Sequence, residues 1–121
     1  MAKKILVIDD DPGTLHLIES ILKAEGYAVL TLSSPKDCIK LIKNERPDLV
    51  MLDILMPHKD GYQVCAEVKT LFNNKIPVVV FTDKPYEKEL IAEAYKNFGA
   101  DDFIHKPFET KEVLSKIKKL I

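Results

Sequence analysis

Residues 5–12 read ILVIDDDP, four aliphatic side chains followed by three aspartates and a proline. An unbroken aliphatic run predicts a β-strand that is buried on both faces, which is typical of parallel sheets covered by helices. Asp11 followed by Pro12 predicts the start of a helix, because aspartate caps helix N-termini and proline suits the first helical position. This stretch therefore predicts a buried strand that ends in acid and leads directly into a helix.

The same alternation of strand and helix continues to the end of the chain. Further strands are predicted at residues 27–32, 49–53, 76–81 and 103–104, in addition to the first at 3–8. Apolar side chains at helical spacing follow each strand, and Ser33-Ser34-Pro35 is predicted to open the second helix. Five strand–helix pairs joined by short connections predict an α/β fold, a doubly wound parallel sheet with helices on both faces. We expect residues 1–121 to form one domain.

Composition excludes several classes of function. The 18 basic and 19 acidic residues leave a formal net charge of −1, which argues against nucleic-acid binding by this chain alone. Apolar runs fall short of the roughly 20 residues of a membrane span. Cys38 and Cys65 do not form a CxxC pair, so we expect buried thiols in a reducing compartment, the cytoplasm. Glycine-rich nucleotide motifs are absent from the sequence.

Polar side chains follow four of the predicted strands. Ligands of open parallel sheets bind outside the carboxyl ends of the strands, so these side chains are expected at one edge. Clustered carboxylates repel one another unless a cation joins them, and a few carboxylates with water suit Mg²⁺. The set consists of Asp9, Asp10 and Asp11 after strand one, Asp53 after strand three, Thr82 and Asp83 after strand four, and Lys106 after strand five.

This set of groups suggests phosphoryl transfer. Mg²⁺ held by carboxylates commonly neutralises the charge of a transferring phosphoryl group. Lys106 would add a second positive charge, Thr82 a hydrogen-bond donor, and one carboxylate could act as the nucleophile. Asp11 is interpreted mainly as a helix cap rather than as a metal ligand.

The chain resembles response-regulator receiver domains of two-component signalling, including the chemotaxis regulators. Four linked motifs carry the resemblance, in order and at family spacing, across essentially the whole chain. They read ILVIDDDP at 5–12, PDLVMLDILMP at 47–57 with DG at 60–61, PVVVFT at 77–82, and GADDFI at 99–104 with KPF at 106–108.

The resemblance implies a flavodoxin-like fold with strand order 2-1-3-4-5 and a phosphoryl acceptor at Asp53. Asp9, Asp10, Asp53 and the backbone carbonyl of Leu55 would hold Mg²⁺. The phosphoryl donor would be a sensor histidine kinase or a phosphotransfer protein. The chain would then act as a signalling switch in a phosphorelay and not as a turnover enzyme.

The resemblance also implies how the switch operates. Lys106 would contact the phosphoryl group, and its bond to Pro107 would be cis, as is usual in the family. Thr82 would move toward the phosphoryl group while Phe103, at the aromatic switch position, turns inward. The face of the fourth helix, fifth strand and fifth helix would then report to a downstream effector or pair with a second copy in a homodimer.

Two departures from the family pattern bear on the phosphoryl group. Asp83 follows the switch hydroxyl, where a small residue is usual, and an inward carboxylate there would oppose phosphorylation. Leu55 and Lys84 occupy the positions that tune dephosphorylation. Because the Leu55 side chain cannot position an attacking water, a long-lived phosphoryl group is the hypothesis.

Two alternatives remain at this point. The first is a small haloacid-dehalogenase-like phosphatase, in which Asp9 would be the nucleophile and the pair Asp101-Asp102 would supply the late acids. The second is a pseudo-receiver that binds partners without phosphorylation, favoured only by Asp83. Other polar residues are expected to lie at the surface without a role in the site. They are His16, His58 and His105, and the lysines of a solvated face on the last helix, Lys111, Lys116, Lys118 and Lys119.

Overall fold

A computed structural model of the chain describes residues 2–53, 55–56, 59–82 and 99–121, with the backbone alone described at 55–56, 59–62 and 82. Strands and helices alternate through these ranges. The strands are β1 (Lys4–Ile8), β2 (Ala28–Leu32), β3 (Leu49–Asp53), β4 (Leu55–Met56), β5 (Lys59–Asp60), β6 (Val78–Thr82) and β7 (Asp102–His105). The helices are α1 (Pro12–Ala24), α2 (Cys38–Glu45), α3 (Gly61–Leu71) and the C-terminal helix (Thr110–Leu120).

Five of the strands form one parallel sheet in the order β2-β1-β3-β6-β7. In chain order these are the five predicted strands, so the arrangement is 2-1-3-4-5 and the expected doubly wound fold is confirmed. The order reverses at β1, where β2 lies on one side and β3 on the other. Crevices at such reversal points are where open α/β sheets bind ligands.

Alternate side chains of the sheet enter two separate apolar layers. Leu6 and Ile8 face the layer that also contains Val64 and Val68 of α3, and α2 contributes Cys38 and Ile42 to it. The intervening residues of the same strands face α1 and the C-terminal helix; they include Ile5, Val7, Met51 and Phe81. Each fully buried aliphatic side chain contributes about 1.5–3 kcal/mol, so the sheet is a rigid platform for the groups at its edge.

The first predicted helix cap is confirmed. Asp11 is the N-cap of α1, and its side chain accepts hydrogen bonds from the Gly13 backbone N–H at 3.0 Å and from the Thr14 hydroxyl at 2.8 Å. Pro12 occupies the start of the helix, as predicted. The two loop carboxylates before it are therefore held next to a fixed helix start.

Several boundaries differ from the prediction. Helix α2 begins at Cys38 and not at the Ser33-Ser34-Pro35 stretch, where a turn is closed by the Cys38 N–H donating to the Pro35 carbonyl at 3.1 Å. The loop predicted at 57–61 includes β5, which pairs with β4 in a two-residue antiparallel ladder. A fourth helix that carries Leu90, Ile91 and Ala94 and ends near Gly99 is also predicted, and these three residues lie outside the described residues.

Both cysteines are buried and neither forms a disulfide, which agrees with the prediction for these thiols. Burial raises the pKa of the Cys65 thiol to about 11.

Among the described residues, none of the helices has the length and apolar character needed to span a membrane.

Candidate functional site

The register of the sheet brings two aspartates to the same edge. Ile8 lies opposite Leu52 in the β1–β3 ladder, so Asp9, which follows β1, and Asp53, the last residue of β3, occupy neighbouring positions. Asp9 is completely buried and Asp53 is 3% exposed. Burying an isolated carboxylate costs several kcal/mol, so these two groups require cations or hydrogen-bond donors close by.

Lys106 supplies a cation to both carboxylates. Its Nζ lies 2.8 Å from Asp9 Oδ2 and 3.7 Å from Asp53 Oδ2, and only 14% of its side chain is exposed. The ammonium also lies 4.9 Å from the centre of the Phe81 ring, within cation–π range. The Lys106–Pro107 peptide bond is cis, as the resemblance implied. A positive charge is therefore held between the two buried acids.

Asp10 completes a group of three carboxylates. One oxygen from each of Asp9, Asp10 and Asp53 lies within 4.8 Å of the others, so these oxygens could bind one cation. Asp10 lies on the surface, yet partial desolvation of its carboxyl raises its pKa, and hydrogen bonding to Asp9 raises it further. The ionised form of Asp10 is therefore less favourable here than in water. A divalent cation close to the three carboxylates would favour their ionised forms, and all-oxygen ligands suit Mg²⁺.

Asp11 points away from this group and serves the helix. Its two oxygens accept from Gly13 and Thr14, and these hydrogen bonds hold the pKa of the Asp11 carboxyl below its usual range. Its backbone N–H donates to Asp9 Oδ1 at 3.0 Å, so the loop that caps α1 also orients the first buried acid. The interpretation of Asp11 as a helix cap is confirmed by these contacts.

The remaining predicted site residues are only partly described. Thr82 is the last residue of β6 and is in register with His105, one position before Lys106, so its backbone lies at the same edge of the sheet. Leu55 begins β4, two residues after Asp53. The side chains of Thr82 and Leu55 lie outside what the structure describes, as do Asp83, Lys84 and His58 entirely.

Phe103 is half-buried against the layer of α2 and α3 and is held by a partner that the sequence analysis missed. Lys116 of the C-terminal helix lies 5.1 Å from the centre of the Phe103 ring, and its ammonium donates to the Phe103 carbonyl. The same ammonium lies 3.5 Å from Asp102 and 3.8 Å from Glu112. The interpretation of Lys116 as part of a solvated face is therefore wrong: only its i,i+4 spacing from Glu112 signalled a partner.

A second ion pair, between a buried lysine and a more exposed aspartate, lies at the opposite edge of the sheet. Lys69 of α3, whose side chain is 7% exposed, pairs with Asp101 at 2.7 Å, and the same carboxylate oxygen accepts from the Val78 N–H at 2.8 Å. Asp101 precedes β7, whereas Asp9 follows β1, and the strands are parallel. The late acid pair of the phosphatase alternative is therefore not near Asp9, and that alternative is wrong in its geometry.

Comparisons with known proteins agree with this arrangement. The family model described as "Response regulator receiver domain" matches residues 5–118. A CheY-like response regulator receiver domain protein from Methanospirillum hungatei shares 29% identity over 98% of this chain and 93% of its own, with a TM-score of 0.88. The BeF3-activated N-terminal receiver domain of Klebsiella pneumoniae RstA shares 27% identity over 98% of this chain and 97% of its own, also with a TM-score of 0.88.

A third solved structure supports the fold alone, because its sequence is more distant. Chemotaxis protein CheY4 of Vibrio cholerae has 21% identity, full coverage of both chains and a TM-score of 0.91. The family match spans nearly the whole chain and includes both strands that carry the buried aspartates. This chain belongs to the response regulator receiver domain family of two-component signalling proteins.

Proposed function

We propose that residues 1–121 form one receiver domain that accepts a phosphoryl group on Asp53 in a Mg²⁺-dependent reaction. The domain acts as a signalling switch and not as a turnover enzyme. The observation that carries this proposal is the position of the Lys106 ammonium, 2.8 Å from Asp9 and 3.7 Å from Asp53. A lysine placed between two carboxylates can balance the added negative charge of a phosphoryl group on one of them. A lysine with a purely structural role would be neutralised by a single carboxylate.

Asp9, Asp10 and Asp53 are the side chains that would hold the metal ion, together with the backbone carbonyl of Leu55. When bound, Mg²⁺ neutralises negative charge on the phosphoryl oxygens and on the acceptor. The spacing of the three carboxylates supports this assignment, because one oxygen of each lies within 4.8 Å of the others.

Asp53 is the proposed nucleophile because it lies at the end of a central strand within reach of Lys106. One oxygen of its carboxylate forms a bond to phosphorus while the phosphorus–nitrogen bond of a donor phosphohistidine breaks. The donor imidazole keeps the electron pair and takes a proton from solvent. The product is an aspartyl phosphate whose charge is shared with the Lys106 ammonium.

The phosphoryl donor is proposed to be a sensor histidine kinase or a phosphotransfer protein that docks beside Lys106. A groove of about 370 Å³ lies there, lined by Thr14, Leu17, Lys106, Pro107 and Phe108. Leu17 is 52% exposed and adds apolar surface to this groove, which a protein partner could cover. A partner covering this groove would place its own histidine next to the acceptor.

The signal is proposed to leave through Thr82 and Phe103. Thr82 would approach the phosphoryl group, and Phe103 would turn inward on the side of the sheet where Lys116 now contacts its ring. A downstream effector, or a second copy in a homodimer, would bind the face made by the C-terminal helix, β7 and the fourth predicted helix. Two buried cysteines that form no disulfide, Cys38 and Cys65, support placing this switch in the reducing cytoplasm.

The test is the intact mass of the protein after incubation with acetyl phosphate and Mg²⁺. We expect one added phosphoryl group that requires both the metal and Asp53. The related receiver domain of RstA is described as BeF3-activated, so a beryllofluoride titration provides a second measurement that does not depend on phosphoryl lifetime.

Asp53→Asn is the decisive variant and Asp37→Asn is the matched control, because Asp37 is an exposed aspartate outside the site. The control should be phosphorylated like the unaltered chain. A folded protein that gains no phosphoryl group and does not bind beryllofluoride with Mg²⁺ would favour the pseudo-receiver alternative. Equal labelling of Asp53→Asn would show that another residue is the acceptor.

A further inference from the structure

An apolar groove lies at the end of the molecule opposite Asp53. It has a volume of about 420 Å³ and lies between the last turns of α2 and α3. Its floor consists of Ile42, Pro47, Phe72 and Ile76, of which the first two are buried and the others half-buried. Strand β3 separates it from the acceptor by its full length of five residues, about 16 Å.

Three positively charged side chains lie at the rim of this groove. Lys43 and Arg46 lie on the α2 side and Lys75 on the α3 side, and all three are exposed. Within the described part of the chain, none of the three makes an ion pair. The chain carries a net charge of −1, so a cluster of three uncompensated positive charges is a local feature and not the general character of its surface.

The acidic side chains next to these cations in the sequence are engaged elsewhere. Glu45 pairs with Lys4 Nζ at 3.2 Å, and Asp48 accepts from the Lys4 backbone N–H at 2.7 Å. Both carboxylates are therefore directed toward β1. Among the residues that the structure describes, no acidic side chain lines the groove, so its described rim is positive and its floor apolar.

Cations near helix C-termini also stabilise the helix dipole, and this explains Lys43 in the last turn of α2. It does not explain Lys75, which lies four residues beyond the end of α3. The same effect applies to Arg46, the only arginine of the chain, because it is the C-cap residue of α2 and adopts a left-handed φ of 47°. Lys75 on the other side therefore extends the positive charge across the groove, where no helix dipole accounts for it.

We propose that this groove docks an acidic peptide segment of a partner protein, with apolar side chains on the floor and carboxylates at the three cations. An apolar centre with a charged, exposed rim is the anatomy of a protein interface. Small anionic ligands instead need convergent buried polar groups, and the described lining consists of apolar side chains and exposed cations. This surface is separate from the phosphoacceptor, and the inference does not rest on the proposed function.

The test is selection of random linear peptides displayed on phage against the unphosphorylated domain. We expect the enriched peptides to carry net negative charge around one or more large apolar residues. Amide chemical-shift changes caused by the synthetic peptides should map to residues 42–47 and 72–76. Affinity should fall as salt concentration rises, because the rim charges are screened.

The decisive variant combines Lys43→Glu, Arg46→Glu and Lys75→Glu. The matched control combines Lys36→Glu, Lys111→Glu and Lys119→Glu, which makes the same change in net charge at exposed lysines elsewhere. The groove variant should lose roughly tenfold or more in affinity while the control keeps most of it. Thermal unfolding of both variants establishes that each is folded.

Four results would overturn the proposal. Enriched peptides that lack acidic residues, or shift changes that map outside the groove, would remove the charge argument. Equal loss in both variants would show a general electrostatic effect. Binding to phosphatidylglycerol vesicles, lost in the groove variant, without any peptide binding at the groove would assign the surface to an anionic membrane instead.

Discussion

The Lys106 ammonium lies 2.8 Å from the Asp9 carboxylate, although the two residues are 97 positions apart in the chain. Asp9 is fully buried and Lys106 nearly so, which makes this contact a buried ion pair. Such a pair contributes little net stability compared with apolar packing, but removal of one partner leaves the other charge uncompensated. The pair therefore couples the stability of the fold to the electrostatics of the candidate metal site.

Lys106→Met is expected to lower the free energy of unfolding by about 3 kcal/mol in the absence of Mg²⁺, because Asp9 and Asp53 would lose their shared cation. Urea denaturation followed by circular dichroism measures this change. Lys118→Met is the control, since Lys118 pairs with Glu25 at the surface and should cost under about 0.5 kcal/mol. Similar losses in the two variants would contradict the importance of the buried pair.

Asp10→Asn is expected to stabilise the metal-free protein at neutral pH. The pKa of Asp10 is raised in the folded state, so its ionised form destabilises the fold above that pKa, and this penalty disappears as the pH falls through it. The difference in unfolding free energy between variant and unaltered protein should therefore be present at pH 7 and vanish in acid. Asp37→Asn, at an exposed site, should show no such pH-dependent gain.

Asp10→Asn should also remove most of the stabilisation that Mg²⁺ gives. At ten times the dissociation constant, a cation that binds only the folded state stabilises it by about 1.4 kcal/mol. We expect this increase in the unaltered chain and a much smaller one in the variant at the same Mg²⁺ concentration. An unchanged Mg²⁺ effect would exclude Asp10 as a ligand.

Asp11→Ala is expected to destabilise the protein above pH 4 but not in strong acid. The folded-state pKa of Asp11 is lowered by its hydrogen bonds to Thr14 and Gly13, so its contribution is complete above the unfolded value of 3.8. That contribution is lost as the pH falls through the folded-state pKa. Melting temperatures across this pH range measure it, and Asp11→Asn, which caps without titrating, should remove the pH dependence while keeping most of the cap.

Lys116→Met is expected to release the Phe103 ring from its present position. The variant keeps the length of the side chain but removes the ammonium that contacts the ring and pairs with Asp102. Fluorine NMR of labelled phenylalanine should show a change at Phe103, with a stability loss of about 1 kcal/mol. Lys119→Met, on an exposed turn of the same helix, should leave the Phe103 resonance unchanged.

The Lys69–Asp101 pair is expected to show strong coupling in a double-mutant cycle. Asp101→Asn alone leaves the buried Lys69 ammonium with the Ile76 carbonyl, at 3.0 Å, as an acceptor but without its carboxylate, and should cost about 3 kcal/mol. Adding Lys69→Met removes that stranded charge, so the double variant should lose less than the sum of the single losses, by about 2 kcal/mol. Additive losses would show that the two groups act independently.

Most of the fold was predictable because its signals are local. Aliphatic runs such as 5–8 and 49–52 identify buried strands without knowledge of their neighbours, and Asp11-Pro12 identifies the start of α1. The start of α2 was predicted three residues early, because the serines and proline at 33–35 form a turn whose chemistry resembles a helix cap. The antiparallel pairing of β4 with β5 could not be predicted in this way, because strands of two residues are too short to show an apolar pattern.

The sequence by itself determined the alternation of strands and helices and the polar residues that end each strand, since both follow from short-range periodicity and chain order. It also placed Asp9, Asp10, Asp53 and Lys106 at one edge, because parallel strands share their carboxyl ends. Tertiary structure alone decided the pairing of Lys106 with Asp9, the contact of Lys116 with Phe103 and the basic groove between α2 and α3. These depend on side-chain direction and on how helices pack across the sheet, which join residues far apart in the chain and leave no pattern in the sequence.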